Sequence, residues 1–211
     1  MPGRDPSTDQ LLDRAAQGDQ PARQQLLGRH RARLRKMVAV HLDRRLVTRV
    51  DPSDVVQEAL ADAARQLSDY LTRRPLPFYP WLRQLAWDRI VELHRRHVKA
   101  GKRSVTREEP DVLHLPDESA AQLAGRLIVP GASPSEQIVR EELHRRVQSA
   151  LALLAPGDRQ VLVLRHLEQL TTAEAAAVLG IGERAFKSRQ LRALQRLRAL
   201  LRDDLPVSNH D

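Results

Sequence analysis

The chain has 211 residues, with 35 Lys and Arg against 27 Asp and Glu, a net charge of +8 and no cysteine. That length suits one medium domain or two small ones, and the missing cysteine excludes disulfides and thiolate metal sites. No apolar run approaches the roughly 20 residues of a membrane span, and Met1-Pro-Gly-Arg-Asp-Pro6 lacks the apolar core of a signal peptide, so a cytoplasmic protein without membrane insertion is expected.

Strand-type alternation is not sustained anywhere, so the expected fold is all-α. Leu11 to about Leu46 predicts two helices broken near Gly18-Asp-Gln-Pro21, with Leu26, Leu27, Leu34, Met37, Val38 and Leu42 as apolar positions. Asp51-Pro-Ser-Asp54 is a helix start: Asp51 suits the N-cap and Pro52 the first helical position. The helix is expected to run through Leu67, burying Val56, Ala59, Leu60, Ala63 and Leu67. Asp54, Gln57 and Glu58 are left on an acidic outer shoulder. Thr72 to Pro80 reads as a proline-broken loop, and a further helix is expected from Trp81 to about Val98, with Leu82, Leu85, Ala86, Ile90 and Leu93 as its stripe.

From Leu93 to Arg107 there are six Arg or Lys and no acid, after which Glu108, Glu109, Asp111, Asp117 and Glu118 reverse the charge. Proline, glycine and serine recur as far as Ser135, so Gly101 to Ser133 is expected to be a linker with little fixed structure. Beyond it, helices are expected over Ser135–Leu154 and from after Ala155-Pro-Gly-Asp158 to about Leu167, followed by a helix-turn-helix. The domain expectation is thus 1–100, a flexible linker 101–133, 134–205, and a tail 206–211.

The helix-turn-helix lies in Thr171-Thr-Ala-Glu-Ala-Ala-Ala-Val-Leu-Gly-Ile-Gly-Glu-Arg-Ala-Phe-Lys-Ser-Arg189. Thr171 or Thr172 can cap its first helix, with Glu174 suited to the positive end. Gly180 is a natural stop, because glycine takes a left-handed conformation without steric penalty. At about 100° per residue, Phe186, Ala193, Leu197 and Leu201 fall on one side of the second helix. Arg184, Ser188, Arg192 and Gln195 fall roughly opposite, with Lys187 on the flank. Arginine and lysine bond the guanine edge, and serine bonds several base edges. A bundle-closing basic helix is the plainer alternative.

Four of the six Phe, Trp and Tyr residues, namely Phe78, Tyr79, Trp81 and Trp87, lie just before the most basic stretch. Aromatic faces beside cations suit single-stranded nucleic acid. Phe78 and Trp81 flank the apolar stripe, so a core role is the alternative for them and is the one expected for Trp81, whereas Trp87 lies off the stripe. Arg89, Arg95 and Arg96 are candidate phosphate contacts, with a solvated face as the alternative.

Together these parts resemble a bacterial sigma factor of the extracytoplasmic-function type. Asp51-Pro-Ser-Asp-Val-Val-Gln-Glu58 is similar to that family's region 2.2, and Phe78 through Arg96 resembles its melting helix. Leu154 to Leu167 with the helix-turn-helix resembles region 4. The resemblance implies core RNA polymerase and promoter DNA as partners, with an anti-sigma factor as a further candidate. It implies that Asp54, Gln57 and Glu58 face polymerase. Arg184, Lys187, Ser188 and Arg192 would read the upstream promoter element. Phe78, Tyr79, Trp87, Arg89, Arg95 and Arg96 would handle the melted downstream element, and the acidic tether would thread the polymerase. Asp88, Trp87 and Gln190 depart from the family pattern, as does the proline-rich Thr72–Pro80 loop.

No phosphate-cradling glycine loop or nucleophile triad is present, so no enzyme activity and no cofactor are expected. His94 and His97 stand three apart on one helix but lack a third nearby ligand, so no metal site is expected. The rival reading is a free-standing helix-turn-helix regulator that binds an operator as a dimer.

Overall fold

The computed structural model describes residues 6–42, 50–101, 115–128 and 136–203. The chain divides into two units, Met1–Pro110 and Asp111–Asp211. All regular structure among the described residues is helical.

In the first unit, α1 spans Thr8–Ala16 and α2 spans Gln20–His41. Ser7 and Gln10 form a capping box at the start of α1. Asp19 then caps α2 through Ala22 N–H, with Pro21 in the first turn, so the expected break falls where capping chemistry starts a new helix. The expected continuation to Leu46 lies outside the described residues.

Helix α3, Pro52–Arg73, begins as expected: the Asp51 carboxylate accepts from Ser53 N–H at 2.7 Å. Hydrogen bonds from the Ser53 backbone and then its hydroxyl, with Arg35 nearby, hold the Asp51 carboxyl below its usual range. The helix runs six residues past Leu67 and ends at Arg74, whose φ is +40°. Helix α4, Phe78–Gly101, follows after only four residues, so the expected Thr72–Pro80 loop is corrected at both ends. Pro80 sits in the first turn of α4, where a missing N–H costs no intrahelical bond. Helices α1 to α4 pack around Leu11, Leu26, Leu34, Met37, Leu82 and Ile90, all essentially without exposure.

The second unit contains an element that composition concealed. Residues Asp117–Leu127 form helix α5 inside the expected linker, with Leu115, Leu123 and Ala124 buried. The linker expectation over 101–133 is therefore corrected for these residues, while 102–114 and 129–135 lie outside the described ones. Helix α6 spans Glu136–Leu153 and α7 spans Pro156–Leu162, continued by a π-helical turn over Val163–Leu167. Val161 to Leu164 and Leu167 are all buried because this central segment is surrounded by other helices. The unit closes with α8, Thr172–Val178, and α9, Glu183–Asp203. The far end of α9 is fastened by an ion pair between Arg196 and Asp158 and by Arg146, which donates to the Leu201 carbonyl at 2.7 Å. The expected tail lies outside the described residues.

Candidate nucleic-acid and polymerase interface

The elbow between α8 and α9 is fixed by local chemistry. Glu174 N–H donates to the Thr171 hydroxyl at 3.2 Å, and Thr171 N–H donates back to the Glu174 carboxylate at 2.8 Å. This reciprocal box satisfies two otherwise unpaired donors. Gly180 adopts φ +63°, and Ile181 N–H reaches back to the Ala176 carbonyl at 3.0 Å. The chain leaves α8 by the left-handed exit that glycine permits. Phe186 N–H then bonds the Gly182 carbonyl at 3.0 Å, starting α9.

Phe186, Ala193 and Leu197 are buried, fastening the inner face of α9, while Leu201 is only half-buried. Arg184, Lys187, Ser188 and Arg192 all stand exposed, and Arg189 beside them adds a further exposed cation. Arg192 Nε donates to the Ser188 carbonyl at 3.4 Å, a long bond that a stronger acceptor can replace. Leu191 interrupts this polar face at 58 % exposure. The residues line two turns of one helix with no acid after Glu183 until Asp203. That arrangement suits bases and phosphates in a major groove.

On α3, Asp54, Gln57 and Glu58 are exposed, and their i, i+3, i+4 spacing places them on one face. Their neighbours Val55, Val56 and Ala59 are buried, which fixes that face outward.

The aromatic cluster differs from expectation. Phe78 and Tyr79 are only 4 % and 3 % exposed. Phe78 lies against His30 and Tyr70, each with ring centroids 5.4 Å away, and Trp81 stacks on Tyr70 at 4.3 Å. The Arg33 guanidinium covers the Tyr79 ring at 3.7 Å. These rings are the core of the first unit, so the expected base-stacking role of Phe78 and Tyr79 is corrected. The physical reason is the early start of α4, which turns both side chains inward.

Arg89 is also committed elsewhere. Its Nη2 lies 2.5 Å and its Nε 2.8 Å from the Asp62 carboxylate on α3, and its Nη1 lies 2.9 Å from Glu92. The Asp62 bond first, then Glu92, holds the Arg89 guanidinium pKa above its usual value. Arg89 thus joins α3 to α4, so the guanidinium expected to contact phosphate is engaged in an ion pair in the free chain. Arg95 and Arg96 are exposed, although Arg96 pairs with Glu92. Trp87 is half-buried, with His41 edge-on at 4.9 Å and Arg83 5.5 Å from its ring. The sequence reading missed His41, because 46 residues separate it from its ring partner. No group of metal-ligand residues is present among the described residues. No described helix is long and apolar enough to cross a membrane.

Comparison with known proteins identifies the family. Residues 144–197, from within α6 into α9, match the family model for sigma-70, region 4. The chain is 30% identical over 194 residues to RNA polymerase sigma factor CnrH of Cupriavidus metallidurans, covering 92% of this chain and 94% of the relative. It belongs to the extracytoplasmic-function RNA polymerase sigma factors. The ECF sigma-E factor of Escherichia coli is 29% identical over 187 residues, covering 88% of this chain and 90% of the relative. The solved structure of CnrH in complex with the cytosolic domain of CnrY has a TM-score of 0.50 and 28% identity, covering 92% of this chain and 97% of that one. This sigma factor directs transcription initiation, and its two helical units divide the exposed polar faces between them.

Proposed function

We propose that this sigma factor binds core RNA polymerase through Asp54, Gln57 and Glu58, and reads an upstream promoter element through Arg184, Lys187, Ser188 and Arg192. Trp87, Arg95 and Arg96 on α4 hold the separated strand of a downstream element. The observation that carries the reading is the acid-free exposed face of α9, set on an elbow whose own bonds are satisfied. Unstacking a base step costs a few kcal/mol. With no hydrolysis motif in the chain, tighter binding of the open strand than of duplex supplies that cost. The half-buried Trp87 indole offers a stacking edge, and exposed Arg95 and Arg96 further along α4 supply the charge. Two weak grips on one enzyme gain from effective concentration. A protein that restrains the chain by covering one of these faces is a further proposed partner, in keeping with the CnrH complex.

Run-off transcription with purified core polymerase, with and without the chain, tests this. Initiation at a defined start, dependent on both components, is the expected result. Tight operator binding by a dimer without polymerase would favour a free-standing regulator instead.

A further inference from the structure

Helix α5 is stitched onto the second unit at both ends. Gln148 on α6 donates to the Asp117 carbonyl at 3.2 Å, and Arg126 donates to the His166 carbonyl at 3.1 Å. Between these bonds, Gly125 lets the His144 ring approach the helix. A Cβ placed there would meet His144 Cε1 at 3.1 Å and Nε2 at 3.3 Å. Leu115, Leu123 and Ala124 fill the remaining contact.

The same interface is built to be weak. The eleven residues of α5 bury only Ser119, Leu123 and Ala124, with Leu115 just ahead of them. Pro116, at the N-cap, provides no side-chain cap. His144 Nε2 and His166 Nε2 are buried without a hydrogen-bond partner among the described residues, a cost that release into water removes. A helix this short is marginal by itself in water, so it forms only with tertiary support.

Docking also controls reach. With α5 docked, the fourteen residues from Gly101 to Leu115 span at most about 50 Å; with α5 released and extended, the chain from Gly101 to Glu136 spans up to about 120 Å. Release thus more than doubles the length of chain available to the second unit.

We propose that α5 is a releasable clasp, folded only while docked on α6 and the π-helical turn, and that it lets go when the chain assembles on polymerase. Only the trigger rests on the polymerase reading above.

Because the chain has no cysteine, nitroxide labels on Gln122→Cys and Ser149→Cys, both exposed positions, report the docking directly. The free chain should show one short, narrow distance. Gly125→Leu should broaden and lengthen it, since leucine favours helix over glycine and only the clash with His144 opposes it. Gly125→Leu with His144→Ala should restore the short distance. Core polymerase, with co-elution scored separately, should lengthen the distance in the unmodified background. If about nine-tenths of the free chain is docked, Gly125→Leu should bind core roughly tenfold more tightly, because release is already complete. A broad distance in the free chain, or no change with Gly125→Leu, overturns the clasp. Co-elution with an unchanged short distance overturns the trigger. Failure to co-elute overturns the polymerase reading and the trigger, while the free-chain distances still decide the clasp.

Discussion

Replacing Phe78 by alanine separates a core role from a strand-binding one. The ring is 4 % exposed and sits among His30, Tyr70 and Trp81. Cutting a phenylalanine to alanine in such a site costs about 3–5 kcal/mol, because the cavity is only partly refilled. A domain of this size has roughly 5–15 kcal/mol in total, so the first unit should remain folded but become fragile. Both tryptophans, Trp81 and Trp87, lie in α4, so tryptophan fluorescence of the full chain reports the first unit alone. With a urea dependence near 1.5 kcal/mol per molar, the unfolding midpoint should fall by about 2–3 M. Far-UV circular dichroism sums both helical units, so it should show a first transition that shifts with the fluorescence and a second that stays in place. A shift under about 0.5 M, combined with loss of promoter opening, would show that the ring is reachable by bases and that its placement in the core is mistaken.

Four further outcomes are expected. Arg184→Ala or Lys187→Ala should weaken initiation at the cognate upstream element by roughly 1–3 kcal/mol per lost bidentate contact, measured across mutated promoters; equal loss on every DNA would mean phosphate contact only. Asp54→Ala should reduce retention on immobilised core polymerase while leaving the fluorescence-detected midpoint in place, and unchanged retention would refute the docking role. Asp62→Ala and Arg89→Ala should couple by roughly 1 kcal/mol in a double-mutant cycle, and strict additivity would show that the α3–α4 ion pair contributes nothing. Burial, then Arg165 and Arg126, push His166 below its ordinary imidazole range. The unfolded chain therefore takes up the proton first, so the second unit should lose stability as pH falls below about 6.5, and His166→Asn should flatten that slope in urea titrations at pH 7.5 and 5.5.

Local chemistry made much of this molecule readable. Asp51-Pro52, Thr171 with Glu174, and Gly180 each act within a few residues of themselves, and each has the expected role. The exposed face of α9 follows from its period, because Phe186, Ala193 and Leu197 leave only one side outward. What escaped depends on partners far along the chain. Arg89 looked like a free cation because Asp62 lies 27 residues earlier. Phe78 and Tyr79 fall among prolines that suggest a loop, although proline is at home in a first helical turn. Helix α5 was hidden by acidic and proline-rich flanks. Its signal was nonetheless present: Leu115, Ser119 and Leu123 recur every four residues, and all three are buried.

The fastening of α9 has a consequence for how promoter preference can change. The helix is 21 residues long, or about 31 Å, so a 10° tilt at its glycine elbow would carry the far end about 5 Å. Asp158 and Arg146 anchor that far end, so the helix behaves as a beam clamped at both supports. If the proposed reading of α9 holds, side chains on its outer surface can be exchanged like type in a fixed frame, giving new sequence preferences with the frame itself left standing.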